Sequence, residues 1–187
     1  MTLNNKKPKL LLHTCCAICG AYITQILIHK FDPIIFFYNP NIHPAEEYEK
    51  RKRSAKKLAE IYNLAFIEGS YEPEKWFEKI TGLEKEPEGG ARCPLCFALR
   101  LQATAQAAKE KNIEIFTTTL AVSPYKNEKV IDLIGKKIAD DLSLQFIRSS
   151  DLDLSKKEIW QRSREIARDY GCYHQKYCGC TFSMQKK

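Results

Sequence analysis

Leu10-Leu11-Leu12-His13-Thr14-Cys15-Cys16-Ala17-Ile18-Cys19-Gly20 is the stretch on which the reading of this chain turns. A short apolar run, enough for a buried strand, gives way to three thiols. Ala21, Ile23, Ile26, Leu27 and Lys30 then follow with a helical rather than alternating pattern. A strand that passes directly into a helix opens an α/β sheet.

The same unit recurs downstream. Pro33 to Tyr38 reads as a continuous apolar strand, suited to a sheet covered on both faces. Pro44 suits the first position of a helix to about Tyr62, with Tyr48, Arg51, Ala55, Leu58 and Tyr62 at three-to-four spacing. Leu64 to Glu68 is a third strand, and Pro73 to Thr81 a short helix. Gly82 to Arg92 lacks periodicity and contains Gly89-Gly90, so a mobile loop is expected. A helix from Pro94 to Lys111 follows, with Cys93 as its cap. The β-branched run within Ile113 to Val122 predicts a strand, Ser123 to Asn127 a turn, Glu128 to Asp141 a helix, and Leu144 to Ile147 a fifth strand. Ser155 caps a last helix to Tyr170, and Gly171 to Lys187 is an irregular tail.

This order predicts one domain, residues 1–187. It is a doubly wound, mainly parallel five-stranded sheet (Rossmann-like, HUP-like) in the order 3-2-1-4-5, with the Cys-rich tail 171–187 closing on the site. Ligands bind such sheets beyond the carboxyl ends of the strands, where strand order reverses. The Cys15 loop and the Ser123 loop would face each other there.

Hydrophobic residues are 44% of the chain, enough for a core, and no apolar run approaches the roughly 20 residues that span a bilayer. Leu10 to Leu12 is also far short of the ~7–15 residues of a signal-peptide core, so a cytoplasmic protein with no membrane partner is expected. The net charge of +7 fits a polyanionic partner such as RNA without requiring one.

Seven of the eight cysteines fall in three groups: Cys15, Cys16 and Cys19; Cys93 and Cys96; Cys178 and Cys180. Tight thiol clusters in a reducing compartment point to metal or redox chemistry rather than structural disulfides. Cys15, Cys16 and Cys19 open a helix, where unpaired amides and the positive helix end favour thiolate. Four thiolates saturate a tetrahedral zinc or an iron–sulfur cubane. Seven leave a surplus, which argues for a cluster with a second metal or with redox-active thiols. Structural zinc and metal-free thiol exchange are the alternatives. Cys172 stands apart as an ordinary semi-buried cysteine.

Three further residues are candidates for proton transfer. His13 is either a proton donor or a strand-end histidine with satisfied hydrogen bonds. Tyr125 and Lys126 follow a buried strand at the ligand edge, where they supply protons or hold a phosphate, or simply open a helix. The basic run Lys50 to Lys57 is either a solvated face or, with Arg92 and Arg100, a track for an RNA backbone. The Ser-Gly-Gly-x-Asp-Ser type loop of ATP-dependent relatives is replaced here by Thr14 to Cys19, which disfavours adenylation.

These pieces resemble the cobalamin-independent epoxyqueuosine reductase family, QueH. They are His13-Thr14-Cys15-Cys16-Ala17-x-Cys19, Arg92-Cys93-x-x-Cys96, Phe116 to Leu120, Ser123-Pro124-Tyr125-Lys126-Asn127, Ser163 to Tyr170, and Tyr177-Cys178-Gly179-Cys180-x-x-Ser183. Ile18 stands where the pattern leads one to expect Pro, and His174 where it suggests Arg. Asp151 to Lys157 is less basic than the pattern. The resemblance implies reduction of epoxyqueuosine to queuosine in the tRNA anticodon, the last step of queuosine biosynthesis. It also implies a 4Fe–4S cluster, a nearby mononuclear metal ion, expected to be iron, no cobalamin, and an unidentified electron donor. Cluster and metal would be shared among Cys15, Cys16, Cys19, Cys93, Cys96, Cys178 and Cys180. His13, Tyr125 or Lys126 would give protons, and Asp151 or Asp153 an oxygen ligand. A zinc-stabilised RNA-binding module, an iron–sulfur tRNA sulfurtransferase and a thiol oxidoreductase are the competing readings.

Overall fold

Residues 6–152 and 154–184 are described by a computed structural model. Among them, five parallel strands form one sheet in the order β3-β2-β1-β4-β5: β1 (Lys9–His13), β2 (Asp32–Phe37), β3 (Phe66–Glu68), β4 (Ile115–Thr118) and β5 (Gln145–Phe146). The helices are α1 (Ala17–Leu27), α2 (Ala45–Ile61), α3 (Pro73–Lys79), α4 (Arg92–Glu110), α5 (Glu128–Leu142) and α6 (Lys156–Asp169). On one side α1 packs against α6 and α2; on the other α4 packs against α5 and onto β1 and β4. The expected order and parallel sense are observed.

β1 is the centre of the sheet. Leu11 and Leu12 lie level with Ile34 and Ile35 of β2 and with Phe116 and Thr117 of β4. Leu10, Leu11 and Leu12 are all 0% exposed. Each contributes about 1.5–3 kcal/mol of burial, and helices on both sheet faces explain why the run is apolar throughout.

Several boundaries differ from the sequence expectation, each for a local reason. The fourth strand does not continue to Val122. Thr119 N donates back to His13 O at 2.9 Å and Leu120 N to Thr118 Oγ1 at 3.1 Å, so Leu120–Val122 coil into a 3-10 turn. α1 begins at Ala17, with Cys16 extended at its N-cap position (φ −169°). α4 begins at Arg92, so Cys93 sits in its first turn rather than capping it. The 82–91 loop is wound around Arg92, whose Nη1 donates to the carbonyls of Leu83, Glu84 and Glu86 at 2.9, 3.2 and 2.6 Å. Ser155 caps α6 as expected, accepting from Glu158 N. Asn127 does the same for α5 through Val130 N.

No described helix is long and apolar enough to cross a membrane.

Candidate metal centre

The first thiol group is assembled by one strand–helix junction. Thr14 N donates to Phe36 O at 2.9 Å and Cys15 N to Thr119 Oγ1 at 3.3 Å, which fixes the chain as it leaves the sheet. The sulfurs of Cys15, Cys16 and Cys19 lie within 4.8 Å of one another, and Cys15 and Cys16 are 3.8 Å apart. Cys15 shares hydrogen bonds with the Cys16 and Cys19 thiols. This holds Cys15 well below the usual thiol range, with Lys126 and Arg100 assisting. The same contacts push Cys16 up to about 12, and Cys19 rises for the same reason. Gln175 Nε2 donates to Cys16 Sγ at 2.9 Å.

The second group is assembled from distant segments. Cys93 and Cys96 stand one turn apart at the start of α4, and Gly89 N donates to Cys93 Sγ at 3.2 Å. Cys178 and Cys180 arrive on the tail. Arg51 of α2, 2% exposed, pairs with Glu47 (2.8 Å) and donates through its other nitrogens to Cys178 O and Tyr177 O, both at 2.9 Å. Glu47 also accepts from Tyr173 OH at 2.7 Å. Tyr177 OH donates to His43 O, and His43 N to Gly179 O at 2.8 Å. Gly179 has φ +111°, and a Cβ there would meet Arg51 Nη1 and Ile42 Cγ1 at 2.9 Å. The tail turns where it does because only glycine fits. Cys96 and Cys180 are buried with Trp76 and Ile80, and burial pushes both thiols up.

The groups open on adjoining cavities. One is lined by Cys15, Cys19, Cys178, Arg100, Lys126 and Gln175, among others. The other is lined by Cys93 and Phe97, and shares Cys178, Tyr125 and Lys126 with the first. Ser123 lines the first cavity beside Cys15, so the two loops face each other as the topology predicts. A separate apolar cavity lined by Ile23, Leu27, Val122, Leu154 and Ile159 holds no thiol.

Burial pulls the Lys126 ammonium down, but the sulfurs of Cys178, Cys15 and Cys19 outweigh it and raise the pKa above the usual lysine range. Arg100 is buried with Cys96, Cys178, Cys15 and Cys93 as its charge partners. Its Nε donates to Cys96 O at 3.1 Å, and its Nη2 is buried without a partner. Among the described residues neither cation pairs with a carboxylate. Arg100 is buried and Lys126 half-buried, and a buried cation without a counter-charge costs several kcal/mol. Anionic metal–thiolate groups supply that charge, and although Glu88 lines both cavities, a donor set otherwise made of sulfur suits a soft metal. These residues therefore fit an iron–sulfur cluster.

The other sequence candidates are placed as follows. His13 is fully buried and lines neither cavity. Its Nδ1 meets Thr118 Oγ1 at 2.8 Å and its Nε2 meets Tyr38 O at 3.1 Å. Burial, with the Arg100 charge, lowers its pKa to about 4. It is the strand-end histidine with satisfied bonds, joining β1 to β4 and to the end of β2. Tyr125 is 75% exposed at the rim of both cavities. Arg92 and Arg100, each 2% exposed, belong to the interior and form no surface track. Asp151 is held by Arg148 at 2.7 Å and lines neither thiol cavity; Asp153 lies outside the described residues. Cys172 is half-buried, as expected. Arg51, Glu47, Thr119 and Gln175 were not singled out from the sequence. For Arg51 a signal existed: it occupies the apolar-spaced face of α2, where a charged residue needs a buried partner.

The profile of the family described as epoxyqueuosine reductase QueH matches residues 10–186. Curated proteins named epoxyqueuosine reductase QueH are similar over nearly the whole chain. The one from Staphylococcus epidermidis is 36% identical over 192 residues, covering 98% of this chain and 79% of that protein. The one from Acinetobacter baylyi is 38% identical over 186 residues, covering 99% and 84%. The one from Thermotoga maritima is 36% identical over 180 residues, covering 95% and 91%. Among solved structures, the predicted subunit of a tRNA methyltransferase from Methanocaldococcus jannaschii superposes with a TM-score of 0.55. It is 11% identical and covers 83% of this chain and 75% of that one, a likeness of fold alone.

Proposed function

The chain belongs to the epoxyqueuosine reductase QueH family, and on that premise we infer that it reduces epoxyqueuosine to queuosine in the anticodon of tRNA, the last step of queuosine biosynthesis. The reaction takes two electrons and two protons, breaks both C–O bonds of the epoxide, forms an alkene and releases water. The observation that supports this chemistry here is that thiols of all three groups, Cys15, Cys19, Cys93 and Cys178, line two adjoining cavities together with Arg100 and Lys126.

The proposed division of ligands follows sulfur spacing. A tetrahedral metal with thiolates at about 2.3 Å separates its sulfurs by about 3.8 Å, which matches Cys15 and Cys16. Cys15, Cys16 and Cys19 would hold a single iron. Cys93, Cys96, Cys178 and Cys180, drawn from two segments and set wider, would hold the 4Fe–4S cubane. When bound, the cluster would supply electrons singly, from an external carrier, and the separate metal ion would polarise the epoxide oxygen.

The chain's own residues would do the rest, without cobalamin, in a reducing cytoplasm where all eight cysteines stay free. Lys126 Nζ, on the wall between the two thiol groups, holds a proton for the departing oxygen. Tyr125, at the rim, is placed to relay the second proton or to meet the base as it enters. His13 keeps the ends of β1 and β4 together beneath Cys15. Arg100 offsets the negative charge of the loaded site.

Anaerobic purification, with iron, acid-labile sulfide and zinc quantified, followed by chemical reduction and addition of epoxyqueuosine-bearing tRNA, tests this reading. The expected result is a brown protein with more iron than sulfide that yields queuosine. A colourless zinc protein, unchanged and inactive after reconstitution with iron and sulfide, would overturn it.

A further inference from the structure

α2 carries two kinds of cation on different faces. Arg51 points inward and Lys52 is held by Glu49 and Glu68. Lys50, Arg53 and Lys57, at i, i+3 and i+7, are exposed and, among the described residues, pair with no carboxylate. These three line an open groove whose other wall is Gly171 and Tyr173 of the tail.

That tail climbs α2 toward the thiols. Lys57 Nζ donates to Gly171 O at 3.4 Å, Tyr173 N to Ser54 Oγ at 2.9 Å, and Arg51 to Tyr177 O and Cys178 O. From residue 57 to residue 51 the helix rises about 9 Å. Tyr173 lines the basic groove, and His174 to Cys178 line the thiol cavity. Only His174 separates Tyr173 from Gln175, so the two are at most about 7 Å apart along an extended chain. Exposed Lys176 stands on the cavity's edge and continues the positive charge. The basic groove and the crevice are thus lined by consecutive residues of one short stretch of tail.

We propose that the groove formed by Lys50, Arg53, Lys57 and the tail at 171–173 binds the phosphate backbone of the RNA whose modified base enters the thiol crevice. The inference rests on the tRNA reading above and adds where the RNA lies. Unpaired surface cations suit phosphates because binding releases condensed counterions, which gives a salt-dependent affinity. Lys136 and Lys137, on the α5 side of the sheet, are by contrast paired with Asp140 and Asp141.

The test uses reconstituted protein and a fluorescein-labelled anticodon stem-loop RNA, titrated at several salt concentrations. K50Q/R53Q/K57Q should bind at least about tenfold more weakly, with a log K against log salt slope shallower by about 2–3. Its visible spectrum should be unchanged. K109Q/K136Q/K137Q, which removes the same charge elsewhere, should bind like the wild type. Equal loss in both variants, an unchanged slope in the first, or no binding by the wild type at low salt would each overturn the proposal. Wild-type reduction of epoxyqueuosine-bearing tRNA, assayed in parallel, separates the outcomes. If reduction proceeds while the groove variant binds normally, the docking surface fails and the activity stands; if reduction fails, the activity reading falls independently of the binding result.

Discussion

Cys15, Cys16 and Cys19 come from a single junction, while Cys93 and Cys96 come from α4 and Cys178 and Cys180 from a tail that returns across α2. In the first group the sulfurs are already within 4.8 Å, share protons among themselves and sit on backbone pinned to β2 and β4. In the second, nothing local holds the pairs together. Arg51, Glu47 and Gly179, none of them a ligand, bring the tail to α4. The first group is a product of chain continuity and the second of packing, so they should fail differently.

The largest effects are expected at the proposed ligands. Cys16→Ala should abolish turnover and lower iron while acid-labile sulfide stays, whereas Cys96→Ala should remove sulfide and visible absorption with the activity. Metal and sulfide analysis of the two purified variants checks this; equal sulfide loss in both would break the distinction between the groups.

Arg51→Met comes next. It strands the buried Glu47 carboxylate and should cost about 3–5 kcal/mol in a denaturant titration. It should also lose the cluster held by the tail while Cys15, Cys16 and Cys19 still bind one iron. Glu47→Leu/Arg51→Met should regain much of the stability, yet not the cluster, because Tyr177 O and Cys178 O remain without their donor. Recovery of both would mean that Arg51 acts on stability alone.

Gly179→Ala should cost about 1–3 kcal/mol from the forced φ, with the same selective loss of sulfide. Retention of full sulfide content would show that the tail has another way to make its turn.

The mildest change is Gln175→Leu, which removes the N–H donor to Cys16 Sγ. It should weaken metal at the first group by about tenfold, the lower end for outer-shell partners, and leave sulfide intact. A chelator competition reads the difference. A fall in sulfide instead would tie Gln175 to the second group.

Much of this was legible from residue order. The apolar run at Leu10 to Leu12, the strand leading to Thr118 and the cap residue Ser155 are local signals, and the structure keeps them. Where local hydrogen bonds compete with periodicity, the reading slipped. The Thr118 hydroxyl ends β4 early, and Arg92 gathers three carbonyls of a loop that composition alone marks as free. Arg92 and Arg100 read as surface charge because a sequence pattern does not tell a cation facing water from one enclosed by carbonyls and sulfurs.

By itself the sequence determined the parallel sheet in the order 3-2-1-4-5, the carboxyl edge where the Cys15 and Ser123 loops meet, and the grouping of the thiols along the chain. Each of these depends on short-range periodicity, on junction chemistry, or on topological rules that act on the order of elements. Only the tertiary structure decided that His13 braces strands rather than faces the cavity, that Lys126 stands between the two thiol groups, and that Arg51 holds the tail carrying Cys178 and Cys180. Those outcomes depend on which side chains meet after the layers pack. Burial then sets the charge each group carries, and no spacing along the chain encodes that.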